Sequence, residues 1–132
     1  MTQVTGNVGM YYAAYRLSAL GWNVMPTARN ARGIDLLAYN TAADRYLGVQ
    51  VKALSKRSPV PLGKAIDTFL GDWWIIVTKC SASPECFVML PDEVRQAAHR
   101  GEKDGRVSYW LQPPEYNKDE YREAWNRIGS AS

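Results

Sequence analysis

Soft metal ligands and long apolar segments are both scarce in this 132-residue sequence. It contains two cysteines and one histidine, too few for a structural zinc site, which takes four such ligands. Charge, glycine or proline interrupts every apolar run well before the roughly 20 residues that a membrane-spanning helix needs. The first five residues also lack the basic and then apolar order of a signal peptide. These absences predict a soluble, cytoplasmic protein without structural zinc.

The setting of the single histidine argues against catalysis by a Ser-His-Asp or Cys-His arrangement. His99 lies in a polar stretch with no nucleophile elbow near it, and we interpret it as a solvated residue near a helix end. Cys80 and Cys86 are close enough for a disulfide across a loop, but a cytoplasmic location favours two reduced thiols.

What the sequence does contain is the composition of one globular domain with an uneven charge distribution. A hydrophobic content of 46% is enough for one core, so a single domain is expected over residues 1–132. Residues 1–64 carry eight basic and two acidic side chains, a net charge of +6, whereas residues 65–132 carry eight basic and eleven acidic side chains, a net charge of −3. The first half is therefore the part expected to face a polyanion.

The order of predicted elements indicates an α/β domain. Residues 7–20 have helical spacing between a cap at Asn7 and a stop at Gly21, with an apolar stripe broad enough for contact with both the sheet and a partner chain. A homodimer through this helix is therefore one interpretation. A loop is predicted over 54–63, strands over 22–25, 34–39, 46–53, 73–78, 86–90 and 107–111, and helices over 65–70, 91–100 and 118–128. This order is typical of a mixed central sheet flanked by helices.

A hairpin in the basic half gathers three polar side chains. The strands over 34–39 and 46–53 surround a turn at 40–45, so cross-strand partners have residue numbers that sum to 85 and Asp35 lies opposite Gln50. Side chains alternate along a strand, so Lys52 shares the face of Gln50. Opposed Cβ atoms are about 5 Å apart and diagonal ones roughly 7 Å apart, so the three side chains converge.

Two interpretations of this trio follow from the residues alone. In the first, Asp35 and Lys52 form a buried ion pair and Gln50 adds a hydrogen bond. In the second, the carboxylate and the amide oxygen bind a hard divalent cation while the ammonium lies beside a phosphate. Magnesium prefers oxygen ligands and needs only one or two from the protein when a phosphate supplies others.

At these residues the sequence resembles the PD-(D/E)XK nucleases, whose signature is an Asp on one strand and Glu-X-Lys or Gln-X-Lys on the next. Gly33-Ile34-Asp35 and Gln50-Val51-Lys52 match the Gln variant. The resemblance is closest to intron-associated homing endonucleases and archaeal Holliday-junction resolvases, and it covers residues 6–80. It implies a restriction-endonuclease-like core and a magnesium-dependent DNA endonuclease with Asp35, Gln50 and Lys52 as catalytic residues. Asp35 and Gln50 would be the ligands of Mg²⁺ or Mn²⁺.

One departure from the family pattern bears on activity. Similar nucleases carry a metal-binding Glu in the first helix, after Gly-X-X-Gly, where this chain has Met10. A thioether is too soft for magnesium, so weak metal binding is expected. The alternatives are therefore an active endonuclease, a catalytically degenerate nuclease fold that binds nucleic acid, or a protein-interaction subunit. DNA backbone contacts are predicted for the basic residues Arg29, Arg32, Lys56, Arg57 and Lys64.

Overall fold

A five-stranded mixed sheet is the centre of the fold. The computed structural model describes residues 2–27 and 33–132. The elements in chain order are α1 (Gln3–Ala19), β1 (Asn23–Pro26), β2 (Leu36–Tyr39), β3 (Tyr46–Ala53), β4 (Val60–Gly63), β5 (Trp73–Thr78), β6 (Glu85–Met89), α2 (Pro91–Ala97), β7 (His99–Lys103), β8 (Arg106–Leu111) and α3 (Pro113–Tyr116), followed by a 3-10 turn, Trp125–Arg127. The strand order in the central sheet is β1-β2-β3-β5-β6. Within these residues, no helix is both long and apolar enough to cross a membrane.

The register of the β2–β3 hairpin is the predicted one. Leu36 pairs with Val49 and Tyr39 with Tyr46, so the paired residue numbers sum to 85 throughout. On its other side β3 runs parallel to β5, with Gln50 opposite Trp74. The hairpin thus gives β3 its antiparallel neighbour, and the crossover through residues 54–72 gives it a parallel one.

Helix α1 covers one face of this sheet. Thr2, rather than the predicted Asn7, caps the helix: its side-chain oxygen accepts a hydrogen bond from the backbone N–H of Thr5, so the cap lies five residues earlier than predicted. Gly21, at φ +94°, follows the end as predicted. A Cβ on Gly9 would lie only 2.4 Å from Cβ of Ala53, so glycine is what allows α1 to approach β3. The core on this side, the helix-side core, includes Ala13, Leu17, Val49, Ile75, Val77 and Trp125.

The opposite face is covered largely by a second, three-stranded sheet of order β4-β8-β7, which was not predicted from the sequence. Its buried residues pack with side chains of β5 and β6 into a separate cluster, the sheet-side core, which includes Val60, Leu62, Leu111, Trp74, Ile76 and Phe87. Val94 of α2 and Tyr116 of α3 also pack into this core, so the mixed central sheet has helices on both faces as predicted, and the small sheet is the addition.

Several predicted elements are wrong. Residues 65–70 are not helical, the loop over 54–63 contains β4, and the helix over 91–100 ends at Ala97, so that His99 begins a strand. The helix predicted over 118–128 is replaced by turns, because its backbone bonds to the sheet: the N–H of Val88 donates to the carbonyl of Tyr121, and the N–H of Glu123 to that of Cys86. Cys80 and Cys86 are both buried free thiols.

Candidate nuclease site

Asp35 lies just before β2 and is fixed to β3 by two hydrogen bonds. Its backbone N–H donates to the carbonyl of Val49 at 2.8 Å, and its Oδ2 accepts from the backbone N–H of Val51 at 2.8 Å. The half-buried carboxylate is therefore held against the part of β3 that carries Gln50 and Lys52. The hairpin register that the sequence predicts is what places it there.

Gln50 contributes a buried oxygen with no partner. The residue is 7% exposed, and its Oε1 has no hydrogen bond within the described part of the chain. The turn at Gly33 passes directly over it, since a Cβ on Gly33 would lie 3.1 Å from this oxygen. A buried amide oxygen without a donor costs free energy unless water or a ligand satisfies it. Gln50 is therefore the clearest candidate here for a ligand-binding atom.

Lys52 lies on the same side of β3 but does not form the ion pair that one interpretation of the sequence required. Among the described residues, the salt bridges within 4 Å do not include Asp35 or Lys52. The Lys52 Nζ instead lies 5.6 Å from the ring centroid of Trp74. Burial lowers the pKa of Lys52 below its usual range, and the nearby Asp35 carboxylate only partly opposes this. The amine is thus a desolvated cation without a direct counterion.

Gln50 and Lys52 border a cavity of about 190 Å³, whereas Asp35 is not among its lining residues. Gly33, Gln50 and Lys52 line one part, and apolar residues line the rest, among them Leu62 of β4, Phe69 and Trp74. This apolar wall was not predicted from the sequence, because it depends on the parallel pairing of β3 with β5 and on the unpredicted strand β4. The Trp-Trp pair at the start of β5 was a signal of burial, but it did not indicate which face each ring takes.

Met10 is half-buried and packs against the helix-side core. Gln50 and Lys52 lie on the other face of β3, as the alternation with Val49 and Ala53 requires. The structure thus accounts for Met10 as a packing residue of α1.

The predicted DNA-contacting residues have different surroundings. Lys56 and Lys64 are exposed, and Lys64 precedes Ala65 in the cavity wall. Arg57 forms a salt bridge with Glu85 at 2.5 Å, so part of its charge is already neutralised. Arg29 and Arg32 lie outside the described residues.

The oxygen atoms of Asp35 and Gln50 suit a hard divalent cation that keeps other ligands, and of the two residues Gln50 lines the cavity. Asp35 offers one charged oxygen donor and Gln50 one neutral, unsatisfied one. Residues 2–27 and 33–132 contain no cluster of three or more His, Cys, Asp or Glu side chains arranged to hold a metal. Such a set fits Mg²⁺ or Mn²⁺ bound together with waters and a phosphate rather than an ion enclosed by protein alone.

Comparisons with solved structures identify the fold. The bacterial homing endonuclease I-Ssp6803I superposes with a TM-score of 0.65 at 19% identity, over 97% of this chain and 91% of that one. Hjc, a Holliday junction resolvase of Archaeoglobus fulgidus, superposes with a TM-score of 0.50 at 17% identity, over 81% of this chain and 90% of that one. Neither family models nor curated proteins match the sequence. The chain shares the fold of these two structures, a mixed α/β restriction-endonuclease-like fold.

Proposed function

We propose that this protein is a metal-dependent DNA endonuclease, in which Asp35 and Gln50 bind Mg²⁺ or Mn²⁺. The observation that carries the proposal is the buried, unsatisfied Oε1 of Gln50, in a restriction-endonuclease-like fold, together with the Asp35 carboxylate that accepts a hydrogen bond from the next residue of β3, Val51. The bound metal supplies an activated water and neutralises charge on the phosphodiester.

Lys52 acts on the phosphate in this proposal. Its ammonium has no direct acidic partner among the described residues, and burial against Trp74 desolvates it. A cation in such a site stabilises developing negative charge more strongly than one in bulk solvent. Asp35 also accepts a hydrogen bond from the backbone N–H of Val51, which fixes the position of its carboxylate relative to β3. This contact is additional to its proposed role as a metal ligand.

Exposed cations bind the DNA backbone in this proposal, and one of them, Lys64, directly precedes Ala65 of the cavity wall. Lys56 and Lys64 are assigned this role most directly, because neither forms a salt bridge within the described residues. Arg57 contributes less, because it is paired with Glu85. Arg29 and Arg32 are also proposed to contact the DNA backbone, on the basis of their charge alone.

A second candidate function is DNA binding by a catalytically degenerate nuclease fold. Asp35 is the single charged oxygen donor assigned to the metal, Gln50 is neutral, and the packing of Met10 against the helix-side core gives that residue a structural role instead. This arrangement favours weak metal binding, whereas the exposed cations that would contact DNA are retained.

A supercoiled-plasmid assay tests the proposal. We expect the purified protein to convert supercoiled plasmid to open circles with Mg²⁺ or Mn²⁺ and to stop when EDTA is added. Salt-sensitive binding without nicking in either metal would support the degenerate fold instead. Absence of DNA binding would leave a protein-interaction role.

We also propose that α1 pairs with a second copy of the chain. Val4, Tyr11 and Tyr15 are 70%, 62% and 65% exposed, and they form an apolar stripe along the outside of the helix. Tyr11→Glu is expected to shift the sedimenting species from dimer to monomer. Tyr46→Glu, at a tyrosine 57% exposed on β3, is the matched control and leaves the dimer intact. A monomeric wild type would contradict this proposal without affecting the nuclease assignment.

A further inference from the structure

The β7–β8 pair of the second sheet, called the ribbon below, extends beyond β4 toward its turn, and the proposed nuclease site does not use it. Strands β7 and β8 pair in register from His99–Trp110 to Lys103–Arg106, and a tight turn at Asp104 and Gly105 joins them. Both turn residues have positive φ, at 54° and 77°, which is the pattern of a two-residue hairpin turn. The register is thereby fixed, and with it the face that each side chain occupies.

The two faces of this ribbon differ in charge. Tyr109 and Leu111 pack toward the sheet-side core, so the alternate residues of β8 and their cross-strand partners point outward. The inner face holds Arg100 and Glu102, which form a salt bridge at 3.2 Å. The outer face consists of His99, Gly101, Lys103, Arg106, Ser108 and Trp110, without a carboxylate.

Lys103 and Arg106 are the distinctive pair on the outer face. They are directly opposed across the ribbon, and both are exposed. Like charges in this position destabilise a hairpin, and no described carboxylate lies within salt-bridge distance of either residue. Two such cations held side by side have the charge complementary to a phosphate backbone.

The other end of the outer face is aromatic. Trp110 is 37% exposed, stands opposite His99, and donates from its Nε1 to Oγ of Ser108 at 3.1 Å. Four strand steps separate His99 from Lys103, roughly 14 Å at the usual rise per residue.

The ribbon is also joined to the cavity through the small sheet. Strand β4 pairs with β8, with Val60 opposite Leu111, and Leu62 of β4 lines the cavity beside Gln50 and Lys52. We propose that the outer face of the β7–β8 ribbon is a second DNA-contacting surface, which binds duplex phosphates through Lys103 and Arg106. This inference rests on the proposed nuclease function and extends it to a contact away from the cavity.

Duplex binding in EDTA, measured over a range of salt concentrations, tests the ribbon. The double variant Lys103→Gln/Arg106→Gln should bind about tenfold or more weakly, with a log–log salt slope smaller by about 0.9 for each phosphate that the variant no longer neutralises. Arg100→Gln is the matched control: it lies in the same ribbon, on the inner face, and is already paired with Glu102. Its slope should equal that of the wild type, and thermal melts should show all variants folded.

A Lys56→Gln variant separates this proposal from the proposed function. If Lys56→Gln lowers the slope while the double variant does not, the ribbon surface is rejected and the DNA-binding function stands. If Arg100→Gln weakens binding as much as the double variant, the face assignment is wrong and the proposal is overturned. A wild type without salt-dependent binding would overturn the ribbon and the nuclease function together.

Discussion

Asp35→Asn is expected to abolish metal-dependent DNA cleavage while the protein stays folded. The substitution removes the single charged donor assigned to the metal. The loss should be roughly 10³-fold or more, because metal stabilisation of a transition state is worth several kcal/mol and each 1.36 kcal/mol is about tenfold in rate. The Asn oxygen still accepts from the N–H of Val51, so the free energy of unfolding should fall by only about 1 kcal/mol.

The measurements for this variant are plasmid nicking, Mn²⁺ titration and a thermal melt, with Asp119→Asn as the control at an exposed carboxylate. Unchanged metal binding together with a stability loss of several kcal/mol would mean that Asp35 has a purely structural role, as the ion-pair interpretation of the sequence required. If the variant melts like the wild type and still cleaves DNA, Asp35 is not part of the active site.

Lys52→Met is expected to slow cleavage strongly without lowering stability. Removing a preorganised cation from a reacting phosphate costs about 10²- to 10³-fold in rate. Burial lowers the pKa of Lys52 in the folded protein, so the charged form is already unfavourable there, and a methionine of similar length removes that penalty. Lys118→Met, at an exposed lysine, is the control and should leave both rate and stability unchanged.

The lowered pKa of Lys52 also determines in which direction the stability and the cleavage rate change with pH. Between the lowered folded pKa and the unfolded value near 10.5, the unfolded chain binds more protons at Lys52 than the folded chain does. The Lys52 contribution therefore makes wild-type stability rise with pH across that window, whereas the cleavage rate falls as the amine loses its proton. A stability difference between wild type and Lys52→Met that is independent of pH would contradict the desolvated-cation interpretation.

The sequence predicted the parts of the fold that depend on local pattern. The turn between β2 and β3 and the alternation along β3 were enough to give the register, and with it the proximity of Asp35 to Gln50. The same pattern placed Val49 and Lys52 on opposite faces. What pairs with β3 on its other side could not be predicted, because a parallel neighbour arrives through a long crossover.

The errors occurred where tertiary contacts override local preference. Residues 118–128 contain good helix formers, yet the carbonyl of Tyr121 and the N–H of Glu123 bond to β6 instead. Strand β4 contains Pro61 and Gly63, which predict a loop, but it pairs with β8. Such segments become strands or turns only in the presence of their partner strands. The apolar wall of the cavity depends on two of these pairings and was missed for that reason.

The hydrogen bond from the Val51 amide to Asp35 gives the site a built-in spectroscopic reporter. This N–H lies between Gln50 and Lys52 and donates to the carboxylate oxygen Oδ2 at 2.8 Å. Anything that withdraws electron density from that carboxylate weakens its acceptor strength and moves the amide proton resonance of a single backbone position. In a ¹H–¹⁵N spectrum, Val51 therefore registers occupancy of the site even under conditions in which no bond is cut.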